Sequence, residues 1–184
     1  MTADTDLLIA FLETRYPTDL VSTDLLTGPE RARDWLVSSR LLEARESVSA
    51  EEARRLVHLR AAITALLRER MGAAADDRTR PTIEAASAGA PLRVVLTSDG
   101  ESRLVPVGSG VNRAMAEIVA ALHRAELAGD LVRVKACKAC GRAFEDLSKN
   151  RSRIWCDMSI CGSQEKARAY RRRHAEAARE ARAG

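Results

Sequence analysis

The chain has 184 residues, 46% of them apolar, which is enough for one domain with its own core and a small satellite domain. Its net charge of +4 is unevenly placed, because residues 135–184 carry thirteen Lys and Arg against six Asp and Glu, whereas residues 1–134 carry seventeen against twenty. The N-terminus lacks the basic segment of a secretion signal, and no apolar stretch has membrane-spanning length. We therefore expect a cytoplasmic protein with no membrane partner. Its basic C-terminal part favours a polyanionic partner.

The first forty residues predict two helices. Apolar residues at three- and four-residue spacing indicate a helix over residues 4–15, which Pro17 ends. Gly28 and Pro29 then mark the start of a second helix, because proline is well tolerated in a first turn. In this second helix we expect Trp35 to face the core.

A capping-box pattern predicts the longest helix of the N-terminal part. Ser49 is followed three residues later by Glu52, and the apolar face that begins there continues to about Met71. Small, charged and helix-breaking residues over 72–81 indicate an exposed loop. A short helix over 82–88 is expected to follow.

The middle of the chain predicts a β-hairpin and another helix. Two runs rich in valine and leucine, 92–97 and 101–107, are separated by a Ser-Asp-Gly turn. An alanine-rich amphipathic helix over 111–128 is closed by Gly129. Because a hairpin alone is marginally stable, we expect it to pack on helices or to pair with a further strand over 131–135.

All four cysteines lie in one short segment, as Cys137, Cys140, Cys156 and Cys161. Two pairs at this spacing are typical of a tetrahedral metal site with four thiolate ligands, and zinc is the metal we expect, although iron also suits four thiolates. Buried free cysteines, two disulfides or a redox Cys-x-x-Cys motif are the alternatives. A four-thiolate site leaves no open position for water or substrate, so we expect a structural site and a protein that is not an enzyme.

The sequence around the cysteines predicts the shape of a small zinc-stabilised module. Gly141 permits the tight turn that aims backbone N–H groups at the first two sulfurs. A short hairpin is expected through Phe144 to Trp155, and these two aromatic side chains are expected to form a small apolar core. Cys161 is expected at the N-terminus of a long helix, whose dipole favours a thiolate. The predicted arrangement is a treble-clef-like zinc finger.

This cysteine-containing run resembles the zinc finger of the CGNR family, which has a Cys-x-x-Cys pair, an aromatic residue and Asp, then Ser-Lys/Arg-Asn, Trp-Cys-x-Met-x-x-Cys-Gly-Asn-Arg and a basic helix. Ser163 and Gln164 stand where that family has Asn-Arg. The matching residues are Cys137, Cys140, Phe144, Asp146, Ser148, Lys149, Asn150, Arg153, Trp155, Cys156, Met158, Cys161, Gly162, Lys166, Arg168, Tyr170 and Arg173. Family members are described as stress-induced transcription regulators with an N-terminal ABATE domain, and the resemblance implies the same role and domain here.

Basic residues of the finger are the candidates for contact with double-stranded DNA. Five arginines of the C-terminal helix fall within roughly a 100° arc, and three glutamates lie on another side. Arg and Lys suit phosphate, and the chain has only two Phe, two Tyr and two Trp, too few to favour stacking on single strands. The candidate DNA-binding residues are Lys149, Asn150, Arg151, Arg153, Lys166, Arg168, Arg171, Arg172 and Arg173. A solvated helix, or a finger that binds an acidic protein, is the alternative.

We therefore predict an α+β protein in two parts. Residues 1–134 form an ABATE-like, mainly helical domain with a small hairpin, which senses a small-molecule effector, forms a homodimer, or both. Residues 135–184 form the four-cysteine zinc finger with its long basic helix, where Tyr170 is expected to pack into the finger core. His58, His123 and His174 lie on separate predicted helices and are assigned no role.

Overall fold

The computed structural model describes residues 2–15, 24–100 and 102–183, and for residues 177–183 it describes the backbone only. A 3-10 turn, Asp130–Val132, precedes the third strand, and a π-helical turn, Met158–Gly162, precedes the last helix. The helices are α1 Ala3–Glu13, α2 Pro29–Ser38, α3 Ala50–Arg70, α4 Thr79–Ser87, α5 Gly110–Leu127 and α6 Ser163–Ala183. The strands are β1 Leu92–Leu96, β2 Ser102–Pro106, β3 Val134–Ala136 and β4 Ala143–Glu145. This composition confirms the α+β class.

Local sequence signals mark the starts of α2 and α3. The capping box of α3 is formed, since the Ser49 backbone N–H donates to Oε2 of Glu52 at 2.8 Å and the Glu52 N–H donates to Oγ of Ser49 at 3.2 Å. Pro29 is the first residue of α2, as predicted. Pro17, the expected end of α1, lies outside the described residues.

The fourth helix starts earlier than the sequence indicated. We expected a loop to residue 81 and a helix from Thr82, whereas α4 begins at Thr79, a residue that is 3% exposed. Pro81 lies in the first turn of α4, where the missing N–H breaks no helical hydrogen bond. Pro81 is therefore part of α4 and does not break the helix.

The predicted hairpin over 92–107 is formed, and it packs on a helix, which is one of the two arrangements expected for it, since Nη1 of Arg124 in α5 donates to the Leu104 carbonyl of β2 at 3.0 Å. The alternative partner over 131–135 does not join it, because β1 pairs with β2 alone and β3 pairs antiparallel with β4.

The expected hairpin through Phe144 to Trp155 is not formed. Phe144 lies in β4, which pairs instead with β3, the strand that precedes Cys137. The following chain is held instead as an irregular loop around Asp146, whose backbone N–H donates to the Arg133 carbonyl at 2.8 Å.

One continuous core joins the helices to the base of the finger. Side chains of α1, α2, α3 and α5 form most of it, and Trp35 lies at its edge with its ring 5.6 Å from that of Phe11. Val134, Ala136 and Ala143, from β3 and β4, belong to the same buried cluster. The predicted division between residues 134 and 135 therefore falls inside β3, a strand with one side in this core.

Arg60 forms a buried ion pair that the sequence did not predict. Arg60 is 5% exposed. Its guanidinium pairs with the Asp24 carboxylate and donates to Oγ1 of Thr14 at 2.8 Å. The pair connects α3 to the chain that follows α1. Within the described residues, no helix combines the length and the apolar character needed to cross a membrane.

Candidate metal centre and nucleic-acid interface

The four cysteine sulfurs converge on one point. All four Sγ atoms lie within 4.8 Å of one another, with 3.6 Å between Cys140 and Cys156 and 3.7 Å between Cys156 and Cys161. A tetrahedral zinc with Zn–S bonds of about 2.3 Å places its sulfurs about 3.8 Å apart, whereas a disulfide needs about 2.05 Å. The cluster therefore fits a four-coordinate metal ion and not two disulfides, and Cys137, Cys140, Cys156 and Cys161 would hold that ion with no position left for substrate.

The first cysteine pair is placed by the turn between β3 and β4. The Cys137 N–H donates to the Arg142 carbonyl at 2.8 Å, and the Gly141 N–H donates back to the Cys137 carbonyl at 2.9 Å. Gly141 has φ of +80°, a conformation that a side chain would strain. The prediction that Gly141 permits this tight turn is confirmed.

Asp157 places the last cysteine. Its Oδ1 accepts hydrogen bonds from the N–H groups of Ser159 at 2.7 Å and Ile160 at 2.9 Å, and its carbonyl accepts from Cys161 N–H at 3.0 Å. These bonds cap the π-helical turn that carries Cys161 and leads directly into α6. Cys161 thus lies two residues before α6 begins, close to its predicted position at the N-terminus of the helix.

Without a metal ion, hydrogen bonds from backbone N–H groups favour ionisation of only one of these cysteines, Cys137. Burial opposes ionisation of Cys137, but hydrogen bonds from the backbone of Cys140, Cys156 and Ala139 outweigh it and lower the Cys137 pKa to about 7. Burial raises the pKa of Cys161 to about 11, and burial with neighbouring thiols raises the pKa of Cys156 further still. A central divalent cation would supply the charge that lets all four ionise together.

Aromatic side chains form the small apolar core beside the sulfurs, as predicted. Phe144, 8% exposed, clusters with Cys137 and Cys161, and Trp155 packs against them. Gly162 lies so close to this group that an added Cβ would be 3.3 Å from Cδ1 of Trp155 and 3.3 Å from Cε of Met158. Packing therefore favours glycine after the last cysteine, with no need for a special backbone conformation.

A buried carboxylate organises the loop between the two cysteine pairs. Asp146 is 0% exposed, and its oxygens accept hydrogen bonds from Nζ of Lys135 at 2.6 Å, Oγ of Ser148 at 2.6 Å and the Arg153 N–H at 2.9 Å. Burial alone would raise the Asp146 pKa, but these bonds hold it far below its usual range. Lys135 also donates to the Arg151 and Arg153 carbonyls.

This network is not predicted from the sequence, although Asp146 is among the residues that match the CGNR finger. The local signal for it is the Asp-x-Ser spacing, since an Asp side chain commonly accepts a hydrogen bond from the backbone two residues later. Lys135 is eleven residues away, and its part depends on the pairing of β3 with β4.

The predicted DNA-binding residues of this loop divide into two groups. Lys149, Asn150 and Arg151 are exposed. Arg153 is half-buried, with Nη2 donating to the Cys156 carbonyl at 2.7 Å and its guanidinium carbon 5.3 Å from the centre of the Phe144 ring. Its contacts are therefore made within the finger.

Helix α6 extends away from the finger with its basic residues exposed. Its main contacts are with the π-helical turn that precedes it. Arg168 pairs with Glu165 one turn earlier. The exposed candidates on α6 are Lys166, Arg168, Arg171, Arg172 and Arg173. Tyr170 is 57% exposed and its ring lies 4.1 Å from that of His174, so the expected packing of Tyr170 into the core is wrong.

Two family models match the chain. A model described as "CGNR zinc finger" matches residues 133–174, and the ABATE model, described as "Putative stress-induced transcription regulator", matches residues 5–136. No curated protein sequence matches. The CGNR match and the sulfur geometry together identify the four cysteines as a structural zinc site.

Proposed function

Because the chain belongs to the ABATE family, whose model is described as "Putative stress-induced transcription regulator", and carries a CGNR zinc finger, we propose that it regulates transcription by binding double-stranded DNA through this finger. The zinc holds the finger together and has no catalytic part, since four thiolates leave it no open position. In the same proposal the N-terminal domain senses an effector or forms a homodimer, and the protein works in the cytoplasm.

The observation that carries the proposal is the long basic helix that follows directly from a zinc ligand. Of the residues whose side chains are described, Ser163 to Glu176, none in α6 is buried, so the helix offers its charges to a partner instead of to the core. A helix this polar gains little from packing on its own protein, and a polyanion such as DNA provides the missing interaction.

The two basic segments are both held in place by the folded finger. The loop with Lys149 and Arg151 is fixed through Asp146, and α6 is fixed through the turn that carries Cys161. Phosphate contacts need only this kind of anchored positive charge, whereas reading base edges needs specific side chains in a groove. We therefore assign phosphate contacts to Lys149, Arg151, Lys166, Arg171, Arg172 and Arg173, and a positioning role to Arg153.

The test is the salt dependence of binding to a pool of genomic duplexes, followed by sequencing of the retained DNA. The double variant Arg171→Ala/Arg172→Ala should bind more weakly and reduce the salt slope by about two, because each phosphate contact releases about one counterion. The matched control is Arg31→Ala/Arg45→Ala, which removes the same charge from exposed positions of the N-terminal domain. Equal weakening by both double variants, with zinc content unchanged, would contradict the assignment to α6.

One observation favours a second function, in which the finger binds an acidic protein. Leu147, Met158 and Ile160 are 72%, 53% and 57% exposed on the finger, and exposed apolar side chains suit a protein surface better than a phosphate backbone. Co-purification of a stoichiometric acidic protein, with no salt-sensitive retention of duplex DNA, would favour this function over the first.

A further inference from the structure

A cavity between α3, α4 and α5 has no part in the zinc site. Its volume is about 480 Å³, within the range of small-molecule sites. Met115 and Ala86, 2% and 3% exposed, contribute to an apolar floor that Pro81 and Ala85 of α4 extend. This half of the cavity suits a ligand with an apolar body.

Basic side chains also line the cavity. They are Arg55 and His58 of α3 and Arg78, just before α4, against a single carboxylate from Asp77. Among the described residues no carboxylate pairs with the Arg78 guanidinium, whose charge is therefore left for a ligand. Two guanidinium groups near an apolar floor match an anion with an apolar side.

Asn112 holds Arg55 in this position. Its Oδ1 accepts a hydrogen bond from Nη1 of Arg55 at 2.9 Å. Gly89, two residues after α4 ends, makes room for Asn112, since an added Cβ there would be 2.7 Å from Cγ of Asn112. The end of α4, the start of α5 and Arg55 are thus tied together at the cavity, and the remaining N–H donors of Arg55 are left for a ligand.

We infer that this cavity binds a small organic carboxylate whose apolar part is about the size of two fused rings. Arg55, held by Asn112 beside the end of α4, binds the carboxylate, Arg78 before the start of α4 adds positive charge to the cavity, and the floor around Met115 holds the rings. A bare phosphate would leave the apolar floor uncovered, and a neutral ligand would leave both guanidinium groups without an anion. A role of this ligand as an effector rests on the proposed function, whereas its binding to the cavity does not.

Titration of the zinc-loaded full chain with 2-naphthoate and its neutral amide, 2-naphthamide, tests the site by calorimetry without any DNA. Naphthoate should bind at least about tenfold more tightly than the amide, since charge-assisted hydrogen bonds contribute about twice the free energy of neutral ones, a difference that corresponds to about tenfold in affinity. The double variant Arg55→Gln/Arg78→Gln should lose this preference. Arg54→Gln, on the exposed side of the same helix and paired with Glu51, should keep it.

A second variant keeps the test decisive if the double variant folds poorly. Ala85 is an exposed lining residue, so Ala85→Trp should fill the cavity without entering the core, and should weaken naphthoate binding by about tenfold or more. Equal affinity for naphthoate and naphthamide, no saturable binding up to millimolar ligand, or unchanged binding by Ala85→Trp would each overturn the inference. Failure of DNA binding would leave all these results unaffected, so the two proposals fail separately.

Discussion

Nζ of Lys135, in β3, lies 2.6 Å from Oδ2 of Asp146, a carboxylate with no exposed surface. The lysine side chain is itself only 12% exposed. This pair is the centre of the network that fixes the loop between the cysteine pairs, and it connects the strand shared with the main core to the segment that carries Lys149 and Arg151. The stability of the finger should therefore depend on it.

Replacing this carboxylate should destabilise the folded protein. Asp146→Asn leaves the buried Lys135 charge without its partner, and breaking a buried pair in this way costs about 3 kcal/mol or more. Urea unfolding of the zinc-loaded protein measures the loss, and Glu145→Gln, at the half-buried neighbouring position, is the control. A loss below about 0.5 kcal/mol would show that the pair is not the main support of the loop.

The difference between wild type and Asp146→Asn should also depend on pH. The folded pKa of Asp146 lies far below the unfolded value of about 4, so the carboxylate stabilises the fold above that unfolded value and its contribution is lost as the pH falls toward the folded pKa. The difference in unfolding free energy between the two proteins should be constant from pH 7 to about 5 and shrink below about 4. A difference that grows in acid would contradict the assigned shift.

Loss of zinc should destabilise the N-terminal helices as well as the finger. Val134, Ala136 and Ala143 are buried in the main core and flank the Cys137–Arg142 turn, so disorder of the metal site reaches that core directly. Cys161→Ser should reduce bound zinc from about one equivalent to a small fraction, because structural sites need four ligands. Its thermal unfolding should remain one transition at a lower midpoint. An unchanged midpoint for the helical signal would show that the two parts unfold independently.

The sequence predicted features that depend on nearby residues and missed those that depend on distant ones. The capping box of Ser49 and Glu52 needs four consecutive residues, and each cysteine pair needs only its own spacing to indicate a metal site. The pairing of β3 with β4 was missed because neither three-residue strand has a pattern of its own. Arg60 and Asp24, thirty-six residues apart, meet only after α3 has packed against the chain that follows α1.

Exposure on α6 could not be predicted either. The spacing of Lys166, Tyr170 and Arg173 places them on one side of a helix. It does not show whether another part of the protein packs against that side. In the structure Tyr170 is 57% exposed, and its ring contacts that of His174 in a tilted arrangement instead of entering the core.

The buried ion pair of α3 should contribute strongly to stability. Arg60→Ala leaves Asp24 partly buried without its partner, which typically costs about 3 to 5 kcal/mol. Arg68→Ala, at an exposed position two turns later on the same helix, should change stability by no more than about 0.5 kcal/mol. Chemical denaturation of the two variants compares them directly, and equal effects would mean that burial of Arg60 adds nothing to the pair.

The glycine after the last zinc ligand should tolerate a methyl group only if its neighbours can move. Gly162→Ala places a Cβ 3.3 Å from Cε of Met158 and 3.3 Å from Cδ1 of Trp155, and overpacking of this kind costs about 1 kcal/mol or more. Met158 is 53% exposed and flexible, whereas Trp155 is packed against the cysteines. Met158→Ala should therefore relieve only part of the cost in a double-mutant cycle measured by thermal unfolding. Complete relief would assign the close contact to Met158 alone, and no relief would assign it to Trp155, the residue that we expect to yield least.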